Sequence, residues 1–495
     1  MAANVEEKEL ESYDFIVVGG GIAGVSCTEY LSSLNIDRTI CLISSTDLVK
    51  TVCNIRKFAR TLEEFEVKEK PLNSLASDCH NVTVVKTTVI GFDHKAHKVL
   101  ASNNKEYWYK KLCICTGARP NLIVKENEHV LGLRDLQSVE DFQNRLSTAR
   151  RVVIVGNGGI SLELVYELTG CEVIWVIKDD AIGNAYFDKG AAQFFLSSLK
   201  QGCSLQEEMS NKNKESCAQN SQDDKMIAEG KSNYGAALGF GWKEELSFRK
   251  YSTDEKMQKN VTVEYNSEVR NLFTRERFKI LHGDMFREPG WNIYLELQSG
   301  KIIGCDFVVS ATGVMPNVEA FVASAELNVA EDGGLMVDKH MRTNINNVYA
   351  AGDVCNASWE HSDYWMQMRL WTQANQMGAY AAKCMTSDMD GSENFMDFCF
   401  EMFAHVTSFF GYKVILLGKY NGQGLGSDYE VLLRCTMGQE YVKVVLHHGK
   451  IHGALLIGET DLEETLENLI LNQMDVSMFG ENLLDPNIDI EDYFD

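Results

Sequence analysis

No stretch of 18 uninterrupted apolar residues occurs in the 495-residue chain, and a bilayer-spanning helix needs about that length. A membrane span is therefore not expected. The opening residues, Met1-Ala2-Ala3-Asn4-Val5-Glu6-Glu7-Lys8, lack the apolar core of a secretion signal. Positive charge is in short supply. The 47 Lys and Arg residues face 71 Asp and Glu, leaving a net charge of −24 at pH 7 and a pI near 4.9. Such a chain repels a phosphate backbone, which argues against direct nucleic-acid binding. The 14 cysteines contain no Cys-x-x-Cys, so zinc-ribbon spacing is missing. Fourteen thiols without a secretory signal fit a reducing compartment, so the expected location is cytoplasm and nucleus. No basic cluster marks nuclear entry.

What is present points elsewhere. At this length two to four domains are expected, and the 45% hydrophobic content is ample for large cores. Two glycine loops stand out. The first follows the apolar strand Phe15-Ile16-Val17-Val18 and reads Gly19-Gly20-Gly21-Ile22-Ala23-Gly24. The second follows Arg151-Val152-Val153-Ile154-Val155 and reads Gly156-Asn157-Gly158-Gly159-Ile160-Ser161. In such a loop the first glycine makes the tight turn, the second lets backbone amides approach a pyrophosphate, and the third small residue packs helix on strand. The helix N-terminus adds partial positive charge. A third motif, Val348-Tyr349-Ala350-Ala351-Gly352-Asp353, ends an apolar strand in a carboxylate suited to a polyol hydroxyl. Two dinucleotide sites on one chain imply two cofactors that meet, and hence electron transfer.

The ribose contacts stay open. After Ile43 the chain offers Ser44-Ser45-Thr46 in place of the usual acid, with Asp47 slightly late. After Ile177 it offers Lys178-Asp179-Asp180. Lys178 could meet a 2′-phosphate and Asp179 a ribose, so NADH and NADPH both fit.

Strands alternating with helices predict an α/β fold with parallel sheets. A polar segment at about 203–258 interrupts the pattern, and antiparallel strands follow from about 397. The terminal acids interleaved with apolar residues suit either docking on a basic groove or a solvated tail, and the solvated tail is expected.

Around these loops the chain resembles the flavin-dependent pyridine nucleotide-disulphide oxidoreductase superfamily. Cys113-Ile114-Cys115-Thr116-Gly117-Ala118-Arg119-Pro120 is similar to its first A-T-G-x-x-P strand, and Ser310-Ala311-Thr312-Gly313-Val314-Met315-Pro316 to its second. The resemblance implies two Rossmann-like domains, the FAD domain split by an inserted NAD(P) domain, plus an α+β C-terminal domain. The boundaries expected are 10–121 and 314–385 for FAD, 122–313 for NAD(P)H, and 386–495 for the C-terminal part. It further implies non-covalent FAD at the first loop and at Gly352-Asp353, with NADH or NADPH at the second loop as electron donor. Glu163 matches an acid beside nicotinamide and flavin. Trp371 opens a segment similar to the helix that reaches the flavin. Lys50 resembles the basic residue that flavin enzymes without a redox cysteine place near the ring, with Arg56 the alternative.

The redox cysteines of that superfamily, a Cys-x-x-x-x-Cys or a Cys-x-x-Cys, are missing, as is its C-terminal His-Pro…Glu base. Cys53 alone stands where a single thiolate could sit, with Arg56 and Lys57 nearby, yet an ordinary structural thiol is expected there. His405, in an aromatic stretch, is expected to be structural, and Trp359, Trp365 and Trp371 to pack in a core. Three stretches narrow the resemblance to one subfamily: Met368–Ala374, Phe403–Lys413 and the acidic terminus. That subfamily implies association with the tRNA ligase complex and its protection from oxidation. A slow flavin–nicotinamide holding module is then the alternative to an ordinary oxidoreductase. Contact with the partner would fall on the insertion, the C-terminal domain or the tail.

Overall fold

The computed structural model describes residues 11–201, 260–283 and 290–487. The polar insertion at 203–258 and the last acids of the tail lie outside the described residues. Packing divides the chain into two compact units. One is Met1–Arg119 with Val314–His405, and the other is Pro120–Gly313 with Val406–Asp495. Among the described residues no helix is long and apolar enough to cross a membrane.

The first unit is built on a mostly parallel sheet in the order Val82–Lys86, Ile40–Ser44, Glu11–Val18, Glu106–Ile114. Such strands are covered on both faces and therefore read as continuous apolar runs. Phe15, Ile16 and Val17 are fully buried accordingly. The free edge of Glu106–Ile114 is shared. An antiparallel strand, Lys98–Ala101, pairs along Glu106–Trp108, while Val348–Ala350 pairs parallel along Leu112–Ile114. Val18 thus lies level with Ile114, and Ile114 with Ala350. The first glycine loop and the Gly352-Asp353 turn consequently leave the sheet at the same carboxyl end, where open α/β sheets bind ligands.

Two helices from opposite ends of this unit's sequence pack together. Ile22–Leu34 lies against Trp371–Asp390, and Ser26 donates to Asn375 at 2.6 Å. Gly378 faces the Ala23 carbonyl so closely that a side chain there would overlap it. Trp359 and Trp365 stack at 5.6 Å and share Phe400 as an edge partner. These two tryptophans therefore pack the core, as expected. Trp371, partly buried, packs against the same cluster.

The second unit repeats the theme with a five-stranded parallel sheet in the order Val130–Leu131, Phe307–Ser310, Arg151–Val155, Glu172–Val176, Asn260–Glu264. A three-stranded antiparallel piece, Val269–Thr274, Ile293–Leu297 and Ile302–Cys305, covers part of it. The expected α/β class with two parallel nucleotide-type sheets is thus what the chain forms. The C-terminal strands Tyr412–Gly418, Lys450–Ile457, Glu440–His447 and Glu430–Thr436 are antiparallel. They pack on the same unit through rings: Phe194 and Phe195 of the Lys189–Gln201 helix meet Tyr412 at 5.2 and 6.0 Å. An ion pair sits beside these rings. Lys443, 4% exposed, pairs with Asp188, which also accepts from the Tyr441 hydroxyl at 3.1 Å. Burial alone would raise the Asp188 pKa, but Lys443, the Ala191 amide and the Tyr441 hydroxyl together hold the carboxyl below its usual range.

Candidate functional site

The first loop has the geometry of a phosphate cradle. Gly19 sits at φ +125°, and any side chain there would run into the Cys115 carbonyl. Only glycine tolerates that combination. Gly24 is equally hemmed in by the Gly19 carbonyl, which sets helix close to strand. Gly21 is the opposite case. At φ −76° it caps the Ile22–Leu34 helix without any side-chain bond, and a Cβ there would meet no atom within 4 Å. The leading amides at Ile22 and Ala23 begin a helix open to an anion. Glycine is thus required at Gly19 and Gly24 by crowding, and at Gly21 by nothing within the fold.

Other expected residues gather around this loop. Gly352, at φ +79°, turns the chain so that an added Cβ would lie 2.6 Å from the Ala23 methyl. Asp353 follows at once, half-buried, with its carbonyl accepting from Arg369 at 2.9 Å. The Lys50 amide donates to the Gly20 carbonyl at 3.0 Å, tying the Leu48–Lys57 strand to the loop. The Lys50 ammonium lies 5.8 Å from the Trp371 ring centre and 3.8 Å from Glu69. Trp371 opens a helix whose N-cap, Leu370, offers no side-chain bond. Ser44 is buried behind Gly20, its hydroxyl 3.3 Å from that of Thr46. It braces the loop. Thr116 donates to the Asn317 carbonyl at 2.7 Å, and the Asn317 amide answers to the Thr116 carbonyl at 3.0 Å. Gly117 accepts from the Asn317 backbone at 2.9 Å, completing a latch.

The second loop has the same construction. Gly156 abuts the Ala311 carbonyl as Gly19 does Cys115, while Gly158 faces open space and caps Gly159–Glu167 without a side-chain bond. Ser161 is fully buried, and its hydroxyl finds no hydrogen-bond partner among the described residues. Ile160 is half-buried at the helix start. Glu163 is 5% exposed and lies close enough to Tyr186 to act on its phenol, whose pKa is pushed up to about 12, chiefly by burial. Thr312 donates to the Asn121 carbonyl at 2.7 Å, and Gly313 accepts from the Asn121 amide at 2.9 Å. That is the counterpart of the Thr116 latch. Lys178 is exposed. Asp179 is already engaged: Asn157 of the loop donates to it at 2.8 Å and also holds the Ala181 carbonyl.

A family model described as pyridine nucleotide-disulphide oxidoreductase matches residues 13–238 and 243–378. The chain belongs to that family. Within it, the human protein named pyridine nucleotide-disulfide oxidoreductase domain-containing protein 1 is 49% identical over 492 residues, covering 97% of this chain and 98% of the relative. Its zebrafish (Danio rerio) namesake is 51% identical over 483 residues, with 97% of each chain covered. Among solved structures, a covalent putidaredoxin reductase–putidaredoxin complex aligns at TM-score 0.64 and 15% identity, covering 98% of both chains. A water-forming NADH oxidase from Lactobacillus brevis aligns at TM-score 0.64 and 14% identity, covering 96% of this chain and 95% of its own. These likenesses establish the two-Rossmann architecture. Family and fold together support FAD plus a pyridine nucleotide as cofactors, in a flavin-dependent NAD(P)H oxidoreductase.

The residues present fit such a pair. Two open-faced glycines, Gly21 and Gly158, each cap a helix that lacks a side-chain cap. Among the described residues every cysteine is free. Cys53 contacts the Glu66 carbonyl at 3.6 Å and is half-buried. Cys113 and Cys115 stand 3.5 Å apart, and both thiols are raised well above their ordinary range, by hydrogen bonding among the buried thiols and by desolvation. Such thiols are inert.

Sequence reading gave no separate role to Gly378, Asn121, Asn317 or Tyr186. A glycine inside a 20-residue helix was the available signal for Gly378, since glycine costs helix stability unless something needs its absence of side chain. Asn121 and Asn317 act through pairing between distant segments, which leaves no local mark.

Proposed function

We propose that this protein transfers hydride from NADH or NADPH to FAD without a redox-active disulphide, and passes the electrons to an acceptor in a protective, antioxidant role. The observation that supports it is the duplicated loop geometry, with each parallel strand ending in a crowded glycine and an open one. In this reading bound FAD supplies a two-electron acceptor for hydride. The Ile22 and Ala23 amides receive its pyrophosphate, Asp353 holds a ribityl hydroxyl, and Lys50 with Trp371 borders the ring. Lys50 would stabilise negative charge there, and Glu69 restrains its ammonium. On the second unit, the Ile160 and Ser161 amides receive the pyridine nucleotide's pyrophosphate, and Glu163 orients the nicotinamide end. Lys178 and Asp179 then decide between NADPH and NADH.

Gly158→Asp tests this directly. A Cβ at Gly158 meets no atom within 4 Å, so the variant is expected to fold and stay yellow. Its reduction by NADH or NADPH is expected to fall at least about a hundredfold, from repulsion between the carboxylate and the incoming pyrophosphate. Flavin bleaching in a stopped-flow instrument measures it. Reduction at the wild-type rate would remove the second loop from the reaction.

A second reading is favoured by one observation. The family match ends at residue 378, whereas identity to the curated relatives runs over 97% of the chain. The C-terminal region beyond the family match thus lies within the span that aligns with those relatives. On this reading a slowly turning flavin–nicotinamide complex, in cytoplasm and nucleus, shields a partner such as the tRNA ligase complex from oxidation through that region. Aerobic turnover separates the two. Repeated NADH or NADPH oxidation in air is expected for the oxidoreductase. A single reduction that leaves a persistent long-wavelength charge-transfer band is expected for the holding module.

A further inference from the structure

The tip of the hairpin joining Glu440–His447 to Lys450–Ile457 carries chemistry that the flavin reaction does not use. His447 pairs with Lys450 across a two-residue turn, and both turn residues are left-handed, His448 at φ +51° and Gly449 at φ +73°. Asparagine or glycine normally fills the first of these places. Histidine there pays a conformational cost and turns its ring back toward its neighbour. The imidazoles of His447 and His448 are 4.0 Å apart, centre to centre. A second irregularity lies beside the turn. Pairing slips between Val445–Gly453 and Leu446–Ile451, leaving His452 as the extra residue of a bulge, a device that re-aims a side chain. Its ring lies 5.3 Å from that of His447. From a separate loop comes Asp428, whose carboxylate is 3.8 Å from His447 Nε2.

The donor atoms of Asp428, His447 and His448 all lie within 4.8 Å of one another. We infer that these three residues form a site for a borderline divalent cation of the zinc class, independent of the flavin chemistry. Two imidazole nitrogens and one carboxylate oxygen are a donor set that zinc takes, at bonds of about 2.0–2.2 Å, with water completing the shell. Tetrahedral donors at that range stand roughly 3.3 Å apart, so the cluster must contract slightly. It has room to, because the Asp428 side chain is 87% exposed. The turn beneath is held firmly instead. Val476 donates to the Gly449 carbonyl at 2.8 Å, and Lys450 bridges to Asp475. The net charge of −24 favours cations near the surface throughout.

Titration of the flavin-loaded full chain with Zn2+, followed by calorimetry against a competing chelator, tests the site. Wild type is expected to bind one equivalent that Asp428→Asn and His448→Gly each weaken at least about tenfold, the order seen when a metal site loses a donor or its support. His448→Gly suits the left-handed turn, so flavin content and melting temperature are expected to match wild type in the absence of metal. At a given zinc concentration the melting temperature should rise more in wild type than in either variant. Undiminished zinc affinity in both variants would assign the metal to thiols elsewhere, and the absence of a stoichiometric equivalent at micromolar zinc would leave no site. Either result overturns the inference.

Discussion

Gly21→Asp is expected to purify as a folded protein without flavin. A Cβ at Gly21 meets nothing within 4 Å, and its φ of −76° suits any residue. The fold therefore has no reason to object. The objection comes from the ligand, because the new carboxylate would stand at the mouth of the Ile22–Leu34 helix, where the proposed reading seats the pyrophosphate. Two unit charges about 4 Å apart repel by roughly 4 kcal/mol at an effective dielectric near 20. That is about three orders of magnitude in affinity. The ratio of absorbance at 450 and 280 nm is expected to fall to that of the apoprotein, with the far-ultraviolet circular dichroism unchanged. A variant that retains stoichiometric flavin would remove the first loop from the FAD site. Gly158→Asp gives the reciprocal pattern, yellow yet unreducible. Together they separate the two nucleotide sites without touching a core residue.

The second large effect concerns pH. His405 is buried, and desolvation pushes its pKa down from 6.5 to about 4. Its Nδ1 lies 3.4 Å from the Thr372 hydroxyl. In the folded state the ring stays neutral to about pH 4, while in the unfolded chain it takes up a proton below about 6.5. The unfolded state therefore binds more protons in that window, and stability falls as pH drops through it. Integrated over the window, the loss is about 3 kcal/mol, complete near pH 4 and absent above pH 7. His405→Asn keeps a polar atom near Thr372 but does not titrate. In urea unfolding of both proteins from pH 7 to 4.5, wild type should lose stability relative to the variant as the pH falls, because carboxylate effects are common to both. Parallel curves would show that His405 is solvated.

Much of this architecture was readable beforehand for a physical reason. Parallel strands buried on both faces must be apolar throughout, and the turn after them must be glycine wherever a carbonyl crowds it. Phe15–Val18 with Gly19, and Val152–Val155 with Gly156, satisfied both demands locally. The polar partners were less legible. Ser44 sits behind Gly20, and Thr116 donates to the Asn317 carbonyl. A hydroxyl's sequence neighbours do not reveal which side of a loop it faces. Lys50 and Trp371, some 320 positions apart in sequence, meet only because the strand beginning at Leu48 is tied to Gly20 and the late helix docks at Ala23. Neither contact leaves a trace in local composition.

The split of the first unit has a consequence for biosynthesis. Strand Glu106–Ile114 awaits Val348–Ala350, and Ala23 awaits both Gly352 and Gly378. At about 5–20 residues per second, translation needs roughly 10–50 s to cross that gap. Until then the nascent chain exposes the bare flank of Leu112–Ile114 and an uncovered helix. Those are the surfaces a ribosome-associated chaperone would have to shelter, and flavin loading belongs to the finished polypeptide.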